Sequence, residues 1–115
     1  MFEFEKFPLY QRCLDFHKSI FDLLRQNRKI DYHFQDQIKR ASTSIIANLA
    51  EGAGRFSPAD KKRFYVISRG SAYEVIALLT LIFRTYSIDD IIHQKLRSDA
   101  DVIIKMLIGL IKSKS

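Results

Sequence analysis

The sequence predicts an all-α protein, an antiparallel up-down-up-down four-helix bundle formed as a single domain over residues 1–115. Length is the first observation, because 115 residues and 13.4 kDa suffice for one hydrophobic core and not for two. Four glycines and two prolines leave long stretches without helix breakers. Apolar residues recur at three- and four-residue steps, the spacing of amphipathic helices. A hydrophobic content of 47% is typical of a globular protein and argues against intrinsic disorder.

The first two helices are predicted from apolar stripes and from the residues that begin or end them. Helix one starts behind Pro8, which suits a first helical turn, and ends near Asn27. Its stripe is Leu9, Cys13, Phe16, Ile20, Leu23 and Leu24. A polar link over 28–33 follows. Helix two ends at Gly52 and Gly54. Its buried side carries Ile38, Ala41, Ile45, Ile46 and Leu49, and its many small residues predict close approach of a neighbouring helix.

The third and fourth helices have the clearest start signals. Ser57 is a predicted N-cap, Pro58 fits the first turn, and Asp60 lies three residues after the cap. This helix is expected to run to about Tyr86, with a stripe of Phe64, Ile67, Ser71, Val75, Leu78, Leu79 and Ile82. The segment 87–90 predicts the cap of helix four. That helix carries Ile92, Leu96, Ile103, Met106, Leu107 and Leu110.

Two segments, 75–83 and 102–111, are apolar on nearly every side of their predicted helices. In a monomeric bundle each helix has a side facing water, so an exposed patch is expected at Ile76, Leu81, Phe83, Ile104, Ile108 and Ile111. Patches of this kind usually mark interfaces, which predicts a homo-oligomer. The alternative is a skewed bundle in which Phe2, Phe4 and Phe7 cover part of the patch.

Several classes of site are not expected. Cys13 is the single cysteine, which excludes an intramolecular disulfide and a cysteine-based zinc site. The three histidines are scattered at 17, 33 and 93, so neither a metal nor a cofactor is predicted. No apolar run reaches the ~20 residues of a membrane span, and the first residues do not resemble a signal peptide. We therefore expect a cytoplasmic protein with no membrane partner.

Positive charge is the main functional signal. Nineteen Lys and Arg against thirteen Asp and Glu give a net charge of +6, which favours anionic partners such as RNA or DNA. The candidate phosphate contacts lie around the junction of helices two and three: Arg40, Arg55, Lys61, Lys62, Arg63 and Arg69. Phe56 or Tyr65 is a candidate for stacking on an unpaired base. The alternative is that these charges form a solvated face beside core aromatic residues.

Enzymatic motifs are weak. Gly52 and Gly54 follow a predicted helix, whereas phosphate-binding glycine loops follow a strand. The pair Arg28 and His33 has the Arg-x4-6-His spacing of HEPN ribonucleases, but it falls in the predicted link, with His33 before helix two. We therefore expect a non-enzymatic RNA-binding scaffold. A protein–protein adaptor and a HEPN-like ribonuclease are the alternatives.

Residues 37–74 carry a recognisable pattern. The segments QIKRAS at 37–42, NLAEG at 48–52 and RGSAYE at 69–74, with Arg55, Ser57, Arg63 and Phe64 between them, resemble the four-helix-bundle family named for open reading frames inside 23S rRNA intervening sequences. This resemblance implies a bacterial homopentamer with a central channel and no established catalytic activity. The family is similar to the accessory proteins of diversity-generating retroelements, which bind a reverse transcriptase and its RNA.

The resemblance also implies architectural roles for the shared residues. Asn48, Glu51 and Glu74 would tie helices two and three together. The residues themselves already predict an ion pair for each glutamate, with an arginine such as Arg55, Arg63 or Arg69, because Glu51 and Glu74 lie near apolar or small-residue faces. Gly52 and Gly70 would permit tight turns or close packing. The structural set implied by the resemblance is therefore Asn48, Glu51, Gly52, Gly70, Ser71 and Glu74.

Overall fold

Four α-helices and one short 3-10 turn account for almost all of residues 1–114, the part of the chain that the computed structural model describes. The elements are the turn Glu3–Lys6 and the helices α1 (Pro8–Gln26), α2 (Tyr32–Ala53), α3 (Pro58–Tyr86) and α4 (Asp90–Lys112). No strand occurs within these residues. The molecule measures 44 × 22 × 21 Å, with its length set by the helices. The all-α prediction is confirmed.

Side-chain caps set the starts of α2, α3 and α4, whereas α1 begins at Pro8 without one. Asp31 accepts a hydrogen bond from the backbone N–H of His33 at 2.8 Å, and Asp89 accepts one from that of Ile91 at 3.0 Å. Ser57 accepts one from the N–H of Asp60 at 3.1 Å, as predicted. Because Asp31 caps α2, His33 lies in the first turn of that helix. The prediction that His33 precedes helix two is therefore wrong.

The four helices pack as a ring around one core. α1 packs against α2 and α4, and α3 packs against the same two helices, whereas the diagonal pairs do not meet. All six stripe residues predicted for α1 are buried in this core. The largest side chains with less than 2% exposure include Ile20, Ile38, Leu49, Leu79 and Leu107, drawn from all four helices.

The buried stripe of α3 differs from the prediction in its first turns. Tyr65 and Ser68 are buried at 1% and 0% exposure, whereas Ile67 is 42% exposed. Phe64 is only half-buried. One residue corresponds to about 100° around a helix, so the predicted stripe lies on the wrong side here. The apolar pattern does not reveal the buried side because Ser68 is polar and is buried for a hydrogen bond to α2.

The apolar patch predicted on α3 and α4 is smaller than expected. Within the bundle, three of its six residues are buried: Phe83, Ile104 and Ile111. Phe83 lies under the ring of His93, with 4.5 Å between ring centroids. Leu81 is 51% exposed. Phe2 is 72% exposed and so does not cover the patch, while Phe7 is half-buried at the end of α4, near Met106.

α3 is long and apolar enough to pass a test for a membrane span, although no uninterrupted apolar run of that length occurs in the sequence. The most apolar 18-residue segment of α3 has a mean hydropathy of 1.5, and 44% of that segment is buried inside the bundle. The core helix of a soluble protein passes the same test. Here the buried side of α3 carries Val75, Leu79 and Ile82, which pack against the other helices.

Candidate nucleic-acid interface at the α2–α3 corner

Four of the six cations predicted to bind phosphate gather where α2 ends and α3 begins. We call this region the basic corner and define it by these four, Arg55, Lys61, Lys62 and Arg63. The chain turns here because Gly54 ends α2 and donates its backbone N–H to the carbonyls of Ala50 and Glu51. Ser57 then caps α3, and Pro58 occupies its first position. The turn therefore places a basic loop beside the first turns of a basic helix.

A close contact between Gly52 of α2 and the buried ring of Tyr65 of α3 holds the two helices together at the corner. A Cβ atom at position 52 would lie 2.7 Å from Cε1 of Tyr65 and 3.1 Å from the carbonyl oxygen of Lys61, so only glycine fits. Burial raises the pKa of the Tyr65 phenol. The packing role of Gly52 is thus visible. The suggestion that Tyr65 stacks on a base is wrong, because its ring is inside the core.

Phe64 holds two of the arginines side by side. The guanidinium carbons of Arg55 and Arg63 lie 4.6 Å and 4.4 Å from the centre of its ring, within cation–π range. Asp60 lies between the same two cations, 3.9 Å from Arg55 and 3.2 Å from Arg63. Glu51 also lies 3.5 Å from Arg55. The two guanidinium groups are therefore positioned by Phe64 and by surface carboxylates.

Two other cations predicted to bind phosphate, Lys61 in the basic corner and Arg69 further along α3, differ in their contacts. The ammonium group of Lys61 donates to the carbonyl of Ala53 at 2.7 Å and so caps the end of α2. Arg69 is half-buried and has neither an ion pair nor a hydrogen bond within residues 1–114. Lys61 is thus a structural residue first, whereas Arg69 is available to a ligand.

Two further groups of the corner have no partner within the described residues. Phe56, in the turn itself, is fully exposed, with a relative accessibility of 102%, so its ring is accessible to a ligand. Nε of Arg55 is buried and has no hydrogen-bond partner among the described residues, which is energetically costly.

Neither Arg40 nor Arg69 joins the basic corner. Arg69 lies eleven residues after Pro58, about 17 Å along α3 at 1.5 Å per residue. Arg40 lies on α2 twelve residues before Gly52, about 18 Å along that helix. The Arg40 side chain is 80% exposed and lies 3.7 Å from Asp36. Helical rise therefore separates both arginines from the corner, and their role as phosphate contacts stays a prediction.

Serine hydroxyl groups, one of them on the predicted residue Ser71, join α2 to α3. Ser44 and Ser71 share a hydrogen bond of 2.7 Å, and Ser68 donates to the carbonyl of Ile45 at 2.7 Å. Asn48 bonds only Ser44, within its own helix, at 2.9 and 3.0 Å. The predicted tie through Asn48 is therefore wrong, whereas Ser71 does connect the two helices.

The two predicted glutamate ties also fail as links between helices. Glu51 pairs with Arg55, as suggested, but that residue lies one turn further along the same chain segment. Glu74 is exposed and has no hydrogen bond or ion pair within residues 1–114. Gly70 is exposed, and a Cβ atom there would have nothing within 4 Å. Close packing inside this chain therefore does not require Gly70.

The remaining candidate chemistry is dispersed. No group of three or more His, Cys, Asp or Glu residues within 1–114 has a geometry that could hold a metal ion. Burial raises the pKa of the Cys13 thiol to about 12, so this cysteine is an unreactive core residue. Arg28 lines a hollow between α1 and α2 that His33 does not line, and His33 lies 3.5 Å from Gln37.

These observations define a small basic four-helix bundle with a cationic corner. The 23S rRNA-intervening sequence protein family matches residues 5–109, so the chain belongs to that family. Among solved structures it is similar to a protein of unknown function from the S23 ribosomal protein family of Bacteroides thetaiotaomicron. The two share 31% identity and a TM-score of 0.83, over 90% of this chain and 98% of the other. No curated protein matches the chain.

Proposed function

We propose that this protein is a non-enzymatic, homo-oligomeric scaffold that binds RNA, or an RNA–protein complex, through the basic corner. The observation that carries the proposal is the pair of arginines held on the Phe64 ring, together with the exposed ring of Phe56, the residue next to Arg55. Arginine forks match phosphate oxygens, and aromatic rings stack on unpaired bases. We choose RNA over DNA because the exposed Phe56 ring suits unpaired bases, which RNA loops and ends present.

Surface carboxylates do not prevent such binding. Asp60 and Glu51 accompany Arg55 at distances of 3.9 and 3.5 Å, and all three side chains are between 39% and 54% exposed. Exposed pairs of this kind contribute only ~0–1 kcal/mol, so phosphate groups compete with them readily. Release of counterions from the RNA adds a favourable, salt-dependent contribution.

The test is RNA binding by fluorescence anisotropy across a salt series. The variant Arg55→Ala/Lys62→Ala/Arg63→Ala removes three cations of the basic corner and leaves Lys61 to cap α2. We expect weaker binding and a log–log salt dependence that is shallower by roughly one unit for each phosphate that is no longer neutralised. Phe56→Ala should weaken binding of single-stranded RNA more than of duplex RNA, because only unpaired bases stack on it.

A matched control removes the same charge elsewhere. Lys18→Ala/Lys95→Ala/Lys105→Ala deletes three cations of α1 and α4, each paired four residues away with Asp22, Asp99 or Asp101. This control should retain most of the affinity. Equal losses in both triple variants would show that net charge, and not the basic corner, binds RNA.

We further infer that successive helices run antiparallel and that the protein assembles with copies of itself, as a pentamer if it follows the family resemblance. Lys61, early in α3, bonds Ala53 at the end of α2, while Ser71, later in α3, bonds Ser44, earlier in α2. A later residue of α3 thus contacts an earlier residue of α2, which supports an antiparallel arrangement of these two helices.

Support for self-assembly comes from one face of α3. Its outer stripe comprises Val66, Gly70, Tyr73, Ala77 and Leu81, at the three- and four-residue spacing of a single helix face. Val66, Tyr73 and Leu81 are 38%, 53% and 51% exposed. The missing side chain at position 70 lets another helix approach closely. Leu81→Glu should yield monomers in sedimentation velocity, whereas Ile91→Glu, an exposed apolar site outside the stripe, should not.

The same stripe favours the second candidate function, a protein–protein adaptor without nucleic acid. A stripe occupied by another protein would leave the basic corner as a solubilising or acid-binding surface. Recovery of a stoichiometric protein partner from nuclease-treated lysate, with no RNA binding at low salt, would support the adaptor and contradict the RNA scaffold.

A further inference from the structure

A second cationic feature lies at the other end of α2 from the basic corner. The end of α1 and the start of α2 enclose a half-open cavity of about 280 Å³, which we call the α1–α2 hollow. It is lined by Phe21, Leu24, Arg25, Arg28, Gln35 and Lys39. The 22 residues of α2 span about 33 Å, so the two cationic features are separated by most of the length of the molecule.

The lining of the hollow is cationic and holds no carboxylate. Its three basic residues are Arg25, Arg28 and Lys39. Arg28 has no ion pair or hydrogen bond to any residue in 1–114, and Lys39 contacts only the Phe21 ring, 5.3 Å from its centroid. Arg25 pairs with Asp22, which lies outside the lining. Two of the three cations therefore lack a carboxylate partner, although like charges repel one another.

The remaining lining residues fix the floor of the hollow. Leu24 is buried, and the Phe21 ring packs against the ring of His17 with 4.5 Å between centroids. The side-chain amide of Gln35 donates to the carbonyl of Ile30 at 2.7 Å, which holds that side chain in place. An apolar floor lowers the local dielectric and so strengthens the attraction of the lining cations to an anion.

We propose that the α1–α2 hollow binds a phosphate monoester of nucleotide size. Arg28 and Lys39 would contact the phosphoryl group, and Arg25 would add a third positive charge nearby. The organic part of the ligand would lie on Phe21 and Leu24. A cavity of about 280 Å³ accommodates a nucleoside monophosphate and falls near the lower end of small-ligand pockets. Such a phosphate has two sources, a free nucleotide or the terminal phosphate of an RNA strand. This site does not depend on the basic corner.

The test is isothermal titration of the full chain with AMP, with adenosine and with inorganic phosphate. We expect AMP to bind and adenosine not to bind. Inorganic phosphate should bind more weakly than AMP, because it does not reach the apolar floor. Arg28→Ala and Lys39→Ala should each weaken AMP binding by about tenfold, the usual effect of removing one charge-assisted hydrogen bond.

Lys29→Ala is the matched control, because Lys29 is an exposed neighbour of Arg28 that does not line the hollow. It should leave AMP binding unchanged. The triple variant of the basic corner should also retain AMP binding, so failure of either proposal is distinguishable from failure of the other. Equal affinities for AMP and adenosine, no AMP binding, or equal losses in Arg28→Ala and Lys29→Ala would overturn the assignment.

The two sources of phosphate are separated by one further comparison. A short RNA with a 5′-phosphate should bind more tightly than the same RNA with a 5′-hydroxyl, and Arg28→Ala should abolish that difference, if the hollow takes strand ends. If AMP binds as expected but the two RNAs do not differ, the hollow is a site for free nucleotides. Circular dichroism of each variant confirms that the bundle is folded.

Discussion

The α2–α3 and α1–α4 contacts are built from different side chains. Between α2 and α3 lie small residues, with the Ser44–Ser71 hydrogen bond and the contact of Gly52 with Tyr65. Between α1 and α4 the surface opens into two hollows of about 210 and 280 Å³. These are lined mainly by longer side chains, including Arg12, Gln26, Ile91 and Lys95. Small residues allow backbones to approach, whereas long ones keep them apart.

This difference bears on stability and on function. The tight α2–α3 contact has little free space, so added volume there forces other atoms to move. It also fixes the geometry of the basic corner, whose two halves come from the ends of those helices. The α1–α4 contact has room to adjust, and the surface ion pair Lys95–Asp99 beside it joins two residues of α4 and not the two helices. Substitutions should therefore be costly on the first side and mild on the second.

Gly52→Val should have the largest effect. Its side chain would overlap Tyr65 and the Lys61 carbonyl, so we expect a loss of about 3 kcal/mol in the free energy of unfolding. Urea denaturation followed by circular dichroism measures it. Gly109→Ala, where a Cβ atom meets nothing within 4 Å, is the control and should gain about 0.5–1 kcal/mol. An unchanged urea midpoint for Gly52→Val would refute the tight contact.

Ser68→Ala should have an intermediate effect. The Ser68 hydroxyl is fully buried and donates to the Ile45 carbonyl, so its loss should cost about 1 kcal/mol. The same urea experiment applies, with Ser98→Ala on the exposed side of α4 as the control. Equal stabilities of the two variants would mean that close packing alone, and not hydrogen bonding, joins α2 to α3.

Acidification should weaken the α1–α2 contact. Burial lowers the pKa of His17 below its ordinary value of 6.5, and its Nδ1 lies 2.9 Å from the hydroxyl of Ser42. The unfolded chain then binds a proton more readily than the folded one, so stability is lost as the pH falls through 6.5 toward the lowered pKa. Thermal melts between about pH 7 and 5 should show this decline.

The pH effect has a direct control. His17→Gln should reduce the decline, because a glutamine retains polar atoms but does not titrate. His33→Gln, at an exposed position of α2, should leave the decline in place. If both variants lose stability on acidification as the parent does, His17 is not its source.

Lys95→Ala should have the smallest effect. Its ammonium group lies 2.9 Å from Asp99, but the two side chains are 70% and 37% exposed. Exposed pairs contribute little, so we expect a change below about 0.5 kcal/mol in urea denaturation. A loss as large as that of Ser68→Ala would contradict the contrast between the two sides of the bundle.

Local signals in the sequence predict the helices and their starts. The predicted α1 stripe from Leu9 to Leu24 and the predicted cap at Ser57 are both confirmed, because apolar spacing and capping depend on residues one or two turns apart. The start of α2 is predicted too late because the capping role of Asp31 is not apparent from the apolar spacing. The basic corner is visible in the sequence as a charge cluster, but its internal arrangement around Phe64 is not.

Contacts between residues of different helices are predicted less well from the sequence. Ser68 is a polar residue buried for a partner on another helix, and no spacing rule identifies it. The α1–α2 hollow joins Arg25 and Arg28 to Lys39 across a turn, so its charge becomes apparent only when the two helices are packed. The sequence predicts that Gly52 permits close packing, but it does not identify Tyr65 as the partner.

The sequence by itself determined the number of helices, most of their limits and the face of α1 that is buried, because these depend on contacts within a few residues. Only the tertiary structure decided which cations share a surface, which apolar residues stay exposed and which helices touch closely. The reason is that α2 and α3 approach each other through small residues, and a small residue permits close packing only where the facing helix supplies a matching partner. These residues are Ser44, Gly52, Ser68 and Ser71.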